Sequence, residues 1–335
     1  MKNLLYIGNK LSGHGVSVTT IETLGVLLEE EGFALHYASS KKNMAFRMLD
    51  MIWSVLKFRS KTHFILIDTY STSSFWYAFL TSQLARILKI KYIPILHGGN
   101  LPQRLKNNPR LCKMLFGNAY KNVAPSGYLL HHFELSGFNN AIYIPNTLEI
   151  DNYSYKEQKV VFPHLLWVRS FAKIYNPNMT IEVFKLIKEK YPEATLCMVG
   201  PDKDGSLADA KLLAQAYQLD VVFTGKLSKK EWIELSENYN LFISTTHFDN
   251  TPVSVMEAMA LGLPVISTNV GGIPYLLNDG VDALLVADGA IDEMVDAIDR
   301  LCQDEGLAKN ISHKARLKVE SFDWNVVKHS WKNVL

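Results

Sequence analysis

Thr246-His247-Phe248-Asp249-Asn250-Thr251-Pro252-Val253-Ser254-Val255-Met256-Glu257-Ala258-Met259-Ala260-Leu261-Gly262-Leu263-Pro264 decides the fold. It follows the apolar run Asn240-Leu241-Phe242-Ile243-Ser244-Thr245, which reads as a buried strand feeding a polar loop. Thr251 then caps a helix whose first residue is Pro252, and Gly262 and Pro264 close it after about three turns. Free N–H groups at Val253 and Ser254 and the positive end of the helix dipole suit a phosphate beyond the strand. Glu257, in the helix's second turn, can accept from ribose hydroxyls, and Asp249 on the loop can reach a sugar joined to that phosphate. The pattern is that of a nucleotide-sugar site.

Outward from this stretch, short β-branched or aromatic runs alternate with helical segments, which argues for parallel sheets built from βα units. The first half carries such runs at Leu4–Gly8, Phe33–Ala38, His63–Asp68, Tyr92–His97, Asn122–Pro125 and Ala141–Pro145. The second carries them at His164–Arg169, Thr195–Gly200, Val221–Gly225, Leu241–Thr245, Pro264–Thr268 and Ala283–Val286. Two sets of six strands imply two Rossmann-like domains, an α/β architecture. The polar stretch Asp151–Lys159 lacks periodicity and reads as the linker, giving domains of 1–152 and 153–319.

The 335 residues, 48% hydrophobic, suffice for two ordinary domains. With 35 basic and 33 acidic residues the net charge is +2, so no global field draws the chain to nucleic acid. Cys112, Cys197 and Cys302 lie far apart without CxxC spacing and read as buried thiols of a reducing compartment. Met1–Gly8 is too short for the apolar core of a signal peptide, and no apolar run approaches the roughly 18 residues of a membrane span. A cytoplasmic protein is expected.

Asp249 and Glu257, with seven residues between them, are followed by Ala258-Met259-Ala260, Gly262-Leu263-Pro264, the strand Val265-Ile266-Ser267-Thr268 and Gly271-Gly272-Ile273-Pro274. This order resembles the donor-site signature of retaining glycosyltransferase family 4, the group 1 glycosyl transferases, over about thirty contiguous residues. The resemblance implies the GT-B fold, two Rossmann-like domains facing across a cleft, and transfer of a hexose-type sugar with retention from a UDP- or GDP-linked donor to a glycan or lipid-linked acceptor. By family analogy the product belongs to surface polysaccharide or lipopolysaccharide. The aromatic, amphipathic tail resembles the family's terminal helix, so 320–335 is expected to return to the first domain.

The same resemblance assigns further residues. Arg169 and Lys173 fall where the family holds the diphosphate, the leaving group, whose growing charge fixed cations stabilise. Lys173 lies one residue short of the family spacing, and Tyr175 competes for its place. Gly200 matches the turn beneath the nucleotide, and Lys226 and Leu227 match the backbone that meets the base. Asn250 and Thr251 replace small residues in the sugar pocket, and Asp249 replaces the usual Glu, reaching about 1.5 Å less. His97 ends an apolar strand before Gly98-Gly99, where the family bonds a hydroxyl of the transferred sugar. Gly13 and Gly15 match the first loop, which touches donor phosphates, and Ser17 is placed to cap the helix after it. The glycines at 8, 13 and 15 do not spell a dinucleotide fingerprint. No enzyme nucleophile is evident, so a front-face displacement is expected. Asp202-Lys203-Asp204 lies in a loop rather than at a strand end, so neither metal nor other cofactor is expected, and activity should survive EDTA.

Residues 41–61 interleave Lys41, Lys42, Arg47, Lys57 and Arg59 with Phe46, Leu49, Trp53 and other apolar residues, Asp50 being the lone acid. Peripheral contact with an anionic membrane and a core-facing helix with basic ends both satisfy this pattern. Arg104, Lys106, Arg110 and Lys113 form a second basic group. Two rival functions remain open: a sugar-nucleotide epimerase of the same fold, which needs no acceptor, and a non-catalytic sugar-nucleotide binder.

Overall fold

The computed structural model describes residues 2–14 and 18–335. Within it the twelve expected strands all form, as two six-stranded sheets in two compact units. The first unit contains β1 (Asn3–Ile7), β2 (Ala34–Ala38), β3 (Phe64–Thr69), β4 (Lys91–Leu96), β5 (Asn122–Ala124) and β6 (Ala141–Tyr143), in the order β2-β1-β3-β4-β5-β6. The second contains β7 (His164–Val168), β8 (Thr195–Val199), β9 (Val221–Gly225), β10 (Leu241–Ser244), β11 (Val265–Thr268) and β12 (Leu284–Val286), in the order β12-β11-β10-β7-β8-β9. Neighbouring strands are parallel throughout. Strand order reverses between β1 and β3 in one sheet and between β7 and β10 in the other. Such switch points open a crevice at the strand carboxyl ends, where ligands of open α/β sheets bind.

Both faces of each sheet are apolar, as parallel sheets require. Period-two alternation sends Leu5, Ile7, Ile65 and Ile67 into one core and Leu4, Tyr6 and Leu66 into another. In the second unit Leu165, Trp167 and Met198 face one core while Leu166, Cys197 and Val199 face the other. Cys112 and Cys197 are buried and Cys302 half-buried; burial raises all three thiols, Cys112 and Cys302 to about 11.

The units divide at Asn146/Thr147 and Asp323/Trp324, not at 152/153 and 319/320. Leu148 explains the difference. It is 2% exposed within the second unit's core, and its N–H donates to Phe322 O at 2.9 Å. Ile150 N–H donates to the Asp323 carboxylate at 3.1 Å, so 147–152 and 320–323 hold each other inside that unit. The terminal helix Trp324–Val334 belongs to the first unit, where Trp324, Val327 and Trp331 pack with Leu4, Tyr6 and Ile93. Lys328 and Lys332 pair with Glu31 beside them.

Gly15 and Ser17 lie outside the described residues, and the first helix, Thr20–Glu30, is capped at Thr19, whose N–H donates to the Glu22 carboxylate at 3.1 Å. The helix Met44–Phe58 buries only Met51, Ser54 and Val55 and leaves Phe46, Leu49 and Trp53 at 66%, 61% and 61% exposure. In the second basic group Arg104 is committed to the fold: its Nε–H donates to Ser71 O at 2.8 Å and its guanidinium lies 4.4 Å from the Phe75 ring centre. Among the described residues no helix is long and apolar enough to cross a membrane.

Trp331 is 3% exposed. Trp331→Ala is expected to cost the first unit about 3–5 kcal/mol in denaturant unfolding. An unchanged midpoint would show that the terminal helix is not part of that core.

Candidate functional site

Arg169 stands at the β7/β10 switch point. Its N–H donates to Val199 O at 3.0 Å, which extends the β7–β8 ladder by one residue. Its carbonyl leaves no room for a side chain opposite. A Cβ at position 200 would lie 1.8 Å from Arg169 O, so Val199-Gly200-Pro201 needs its glycine. The guanidinium rests 4.4 Å from the Tyr175 ring centre and pairs with the Asp249 carboxylate. Tyr175 therefore carries the arginine on its face. Lys173 is exposed, in a 3₁₀ turn whose N–H donates to Asp204 at 2.9 Å. Asp204 also accepts from Ser206, and these hydrogen bonds lower its carboxyl pKa. The Asp202–Asp204 loop thus builds the site's backbone, and among the described residues no group of three or more metal-ligating side chains forms.

The loop after β10 is fixed from three sides. His247 N–H donates to Ile174 O at 2.8 Å, Phe248 N–H to the Thr246 hydroxyl at 3.1 Å, and Gly272 N–H to Asp249 O at 2.7 Å. Gly271-Gly272 permits this closeness: a Cβ on Gly272 would meet Asn250 O at 1.8 Å, and one on Gly271 would meet Asp249 O at 2.5 Å. Asp249, expected to reach for a sugar, is turned to Arg169 and accepts from Asn250 N–H at 2.8 Å. Burial raises its pKa, and Arg169 and the Asn250 amide only partly offset this.

The following helix is Val253–Leu261, one residue shorter than expected. Pro252 is its N-cap with extended ψ of 111°, and Thr251 does not cap; its hydroxyl is buried without a hydrogen-bond partner among the described residues. The N–H groups of Val253 and Ser254 precede the first intrahelical bonds and so remain available at the helix start. Pro252 and Ser254 line one small cavity with Arg169, Tyr175 and Thr246. Glu257, 5% exposed, accepts from the Tyr153 hydroxyl at 2.7 Å and pairs with Lys229 at 3.1 Å through the same oxygen, Oε1. Tyr153 and Lys229 escaped the sequence reading. The first lies in an aperiodic stretch and the second reads as an ordinary first-turn lysine, so only the fold brings them to Glu257.

Other expected residues sit apart. Gly200 N–H donates to Gly225 O at 2.9 Å, which places the exposed Lys226 and half-buried Leu227 just after β9, next to β8. In the first unit His97 follows β4 with its side chain 11% exposed. Gly13 lies in a 3₁₀ turn where an added Cβ would meet nothing within 4 Å among the described residues.

The architecture, matched over its whole length, is a GT-B fold. Sucrose-phosphate synthase from Thermosynechococcus elongatus aligns over 100% of this chain and 98% of its own, with TM-score 0.81 and 15% identity. Anabaena HepE, solved in complex with UDP and glucose, aligns over 99% of each chain with TM-score 0.76 and 14% identity. Residues 155–318 match the family model for Glycosyl transferases group 1. The capsular polysaccharide biosynthesis glycosyltransferase CapM of Staphylococcus aureus is 30% identical over 142 residues, 42% of this chain and 37% of CapM. Matches to curated relatives span between 19% and 55% of those proteins' length.

Asp249 gives the site a pH signature. A carboxyl whose folded pKa lies above its unfolded value of about 3.9 favours folding when protonated, and that contribution is lost as pH rises through the folded pKa. The stability of the wild type relative to Asp249→Asn should therefore fall as pH rises above about 4, as read by denaturant melts. A difference that grows with pH would mean that the Arg169 pairing dominates.

Proposed function

We propose that the chain is a retaining glycosyltransferase that moves a hexose-type sugar from a UDP- or GDP-linked donor to a hydroxyl of a glycan or glycolipid acceptor in surface polysaccharide or lipopolysaccharide assembly. One observation carries this reading. A guanidinium and an uncommitted helix N-terminus line one cavity at the switch point of the second sheet. Arginine presents five donors, and Asp249 does not saturate them, so a diphosphate has both a fork and backbone amides to meet. Lys173, exposed nearby in sequence, adds a second cation. Glu257 keeps one oxygen on Tyr153 and Lys229 and offers the other to ribose hydroxyls. His97 attends a hydroxyl of the transferred sugar.

In the reaction the bond from the anomeric carbon to the diphosphate oxygen breaks, with its electrons passing to the leaving group. The acceptor hydroxyl oxygen bonds to that carbon from the same face, and its proton passes to the departing phosphate. Fixed cations and amides stabilise the growing charge without a metal. HepE's complex with UDP and glucose and CapM's role in capsular polysaccharide support the donor class and pathway type.

Thermal-shift titration should show stabilisation by UDP or GDP, about 2.7 kcal/mol at 100 times the dissociation constant. Arg169→Ala should weaken that nucleotide about 10- to 100-fold, matching the loss of a charge-assisted hydrogen bond. Glu257→Ala should reduce donor turnover, which should persist in excess EDTA. Tight nucleotide binding by Arg169→Ala would refute the assignment, and a rearranged sugar nucleotide formed without acceptor would point to an epimerase.

We also propose that the helix Met44–Phe58 lies on an anionic membrane. Phe46, Leu49 and Trp53 fall three and four residues apart, on one outward face. Lys41, Lys42, Lys57, Arg59 and Lys61 flank that face, while the lone acid, Asp50, accepts from the Ser39 hydroxyl. An apolar stripe rimmed by cations complements an anionic lipid surface. Vesicles containing phosphatidylglycerol should co-sediment the protein and neutral phosphatidylcholine vesicles should not. Phe46→Ser with Trp53→Ser, or Lys41→Ala with Lys42→Ala, should each release it. Equal binding to both vesicle types, or to neither, would contradict the proposal.

A further inference from the structure

Asp68, at the carboxyl end of β3, is a fully buried acid that the donor site does not use. It is 0% exposed, and its Oδ1 accepts from the Tyr6 hydroxyl at 3.1 Å and faces His97 Nε2 at 2.8 Å. Its Oδ2 has no hydrogen-bond partner among the described residues. Gly8 makes space for it, since a Cβ at that position would lie 2.5 Å from Oδ2. β1, β3 and β4 are consecutive neighbours in the sheet, so Gly8, Asp68 and His97 meet at the switch point of the first unit. Tyr70 lies against the His97 ring with centroids 4.9 Å apart.

Burying a carboxylate is expensive, and an apolar residue would fill this part of the core at less cost. What Asp68 supplies is direction. An ionised carboxylate only accepts, so the hydrogen between the two groups sits on Nε2. A neutral imidazole so held presents a lone pair at Nδ1. Tyr70 fixes the plane of the ring, and Asp68 fixes its tautomer.

We propose that Asp68 is a positioning residue that locks His97 in the Nε2–H form, so that Nδ1 accepts a hydrogen bond from a hydroxyl of the sugar substrate. The role of that bond rests on the glycosyltransferase reading, whereas the tautomer does not. Side-chain ¹⁵N spectra of the whole protein above the His97 titration should show His97 as the Nε2–H form in the wild type and as a mixture in Asp68→Asn. Asp68→Asn should also lower kcat/KM for donor turnover about 10- to 100-fold, the usual scale for losing a group that orients a histidine. In a His97→Ala background the same change should alter kcat/KM by less than about twofold, because Asp68 acts through His97. Nucleotide binding, measured by thermal shift, should be the same in Asp68→Asn as in the wild type. An Nδ1–H tautomer in the wild type, or equal losses in both backgrounds, would overturn the proposal. Absence of any nucleotide binding by the wild type would instead overturn the glycosyltransferase reading and leave the spectra to decide the tautomer.

Discussion

The second unit depends on one arrangement: a guanidinium held at the end of β7, with a tyrosine face under it and a buried carboxylate beside it. Tyr175 and Asp249 take away the rotamer freedom that an arginine would otherwise lose on binding an anion. The carboxylate also keeps the unliganded charge from standing alone. Its own burial is unfavourable enough to raise its pKa, so the pair is a compromise that a diphosphate, with more negative charge, can rearrange. Neighbouring features serve this geometry. Gly200 lets β8 lie against Arg169, and Gly271-Gly272 hold the loop that carries Asp249.

The two sheets make different use of their switch points. In the second, the crevice is lined by the Arg169 guanidinium and a helix start, which suit phosphate. In the first, it holds Gly8, Asp68 and His97, neutral or acidic groups that suit hydroxyls. Each sheet makes its own surface by strand order and a few end residues.

Much of this was legible in the sequence because parallel strands buried on both faces are short, apolar and sharply bounded; all twelve were found within two residues of their ends. Local signals failed where packing overrode them. Thr251 has the chemistry of a cap, but Pro252, extended at ψ 111°, takes that position and leaves the threonine hydroxyl buried. The polar run after Asp151 looked like a linker, yet burial of Leu148 moves the division to Asn146. Asp249 and Glu257 stood out by their spacing within the family-like motif. Tyr153 and Lys229 did not, since both reach Glu257 by folding alone, the tyrosine across 104 positions of sequence. Tyr175 was noticed for its place, and only the structure shows that it supports Arg169. Asp68 gave no signal at all: an acid at the end of an apolar strand declares nothing until its neighbour is known.

The most direct test of the diphosphate grip is a crystal structure of the protein soaked with UDP or GDP. The diphosphate is expected within hydrogen-bond distance of the Arg169 guanidinium and the N–H groups of Val253 and Ser254, with ribose hydroxyls on Glu257. A nucleotide bound elsewhere, with Arg169 still closed on Asp249 and no anion at the start of that helix, would contradict it.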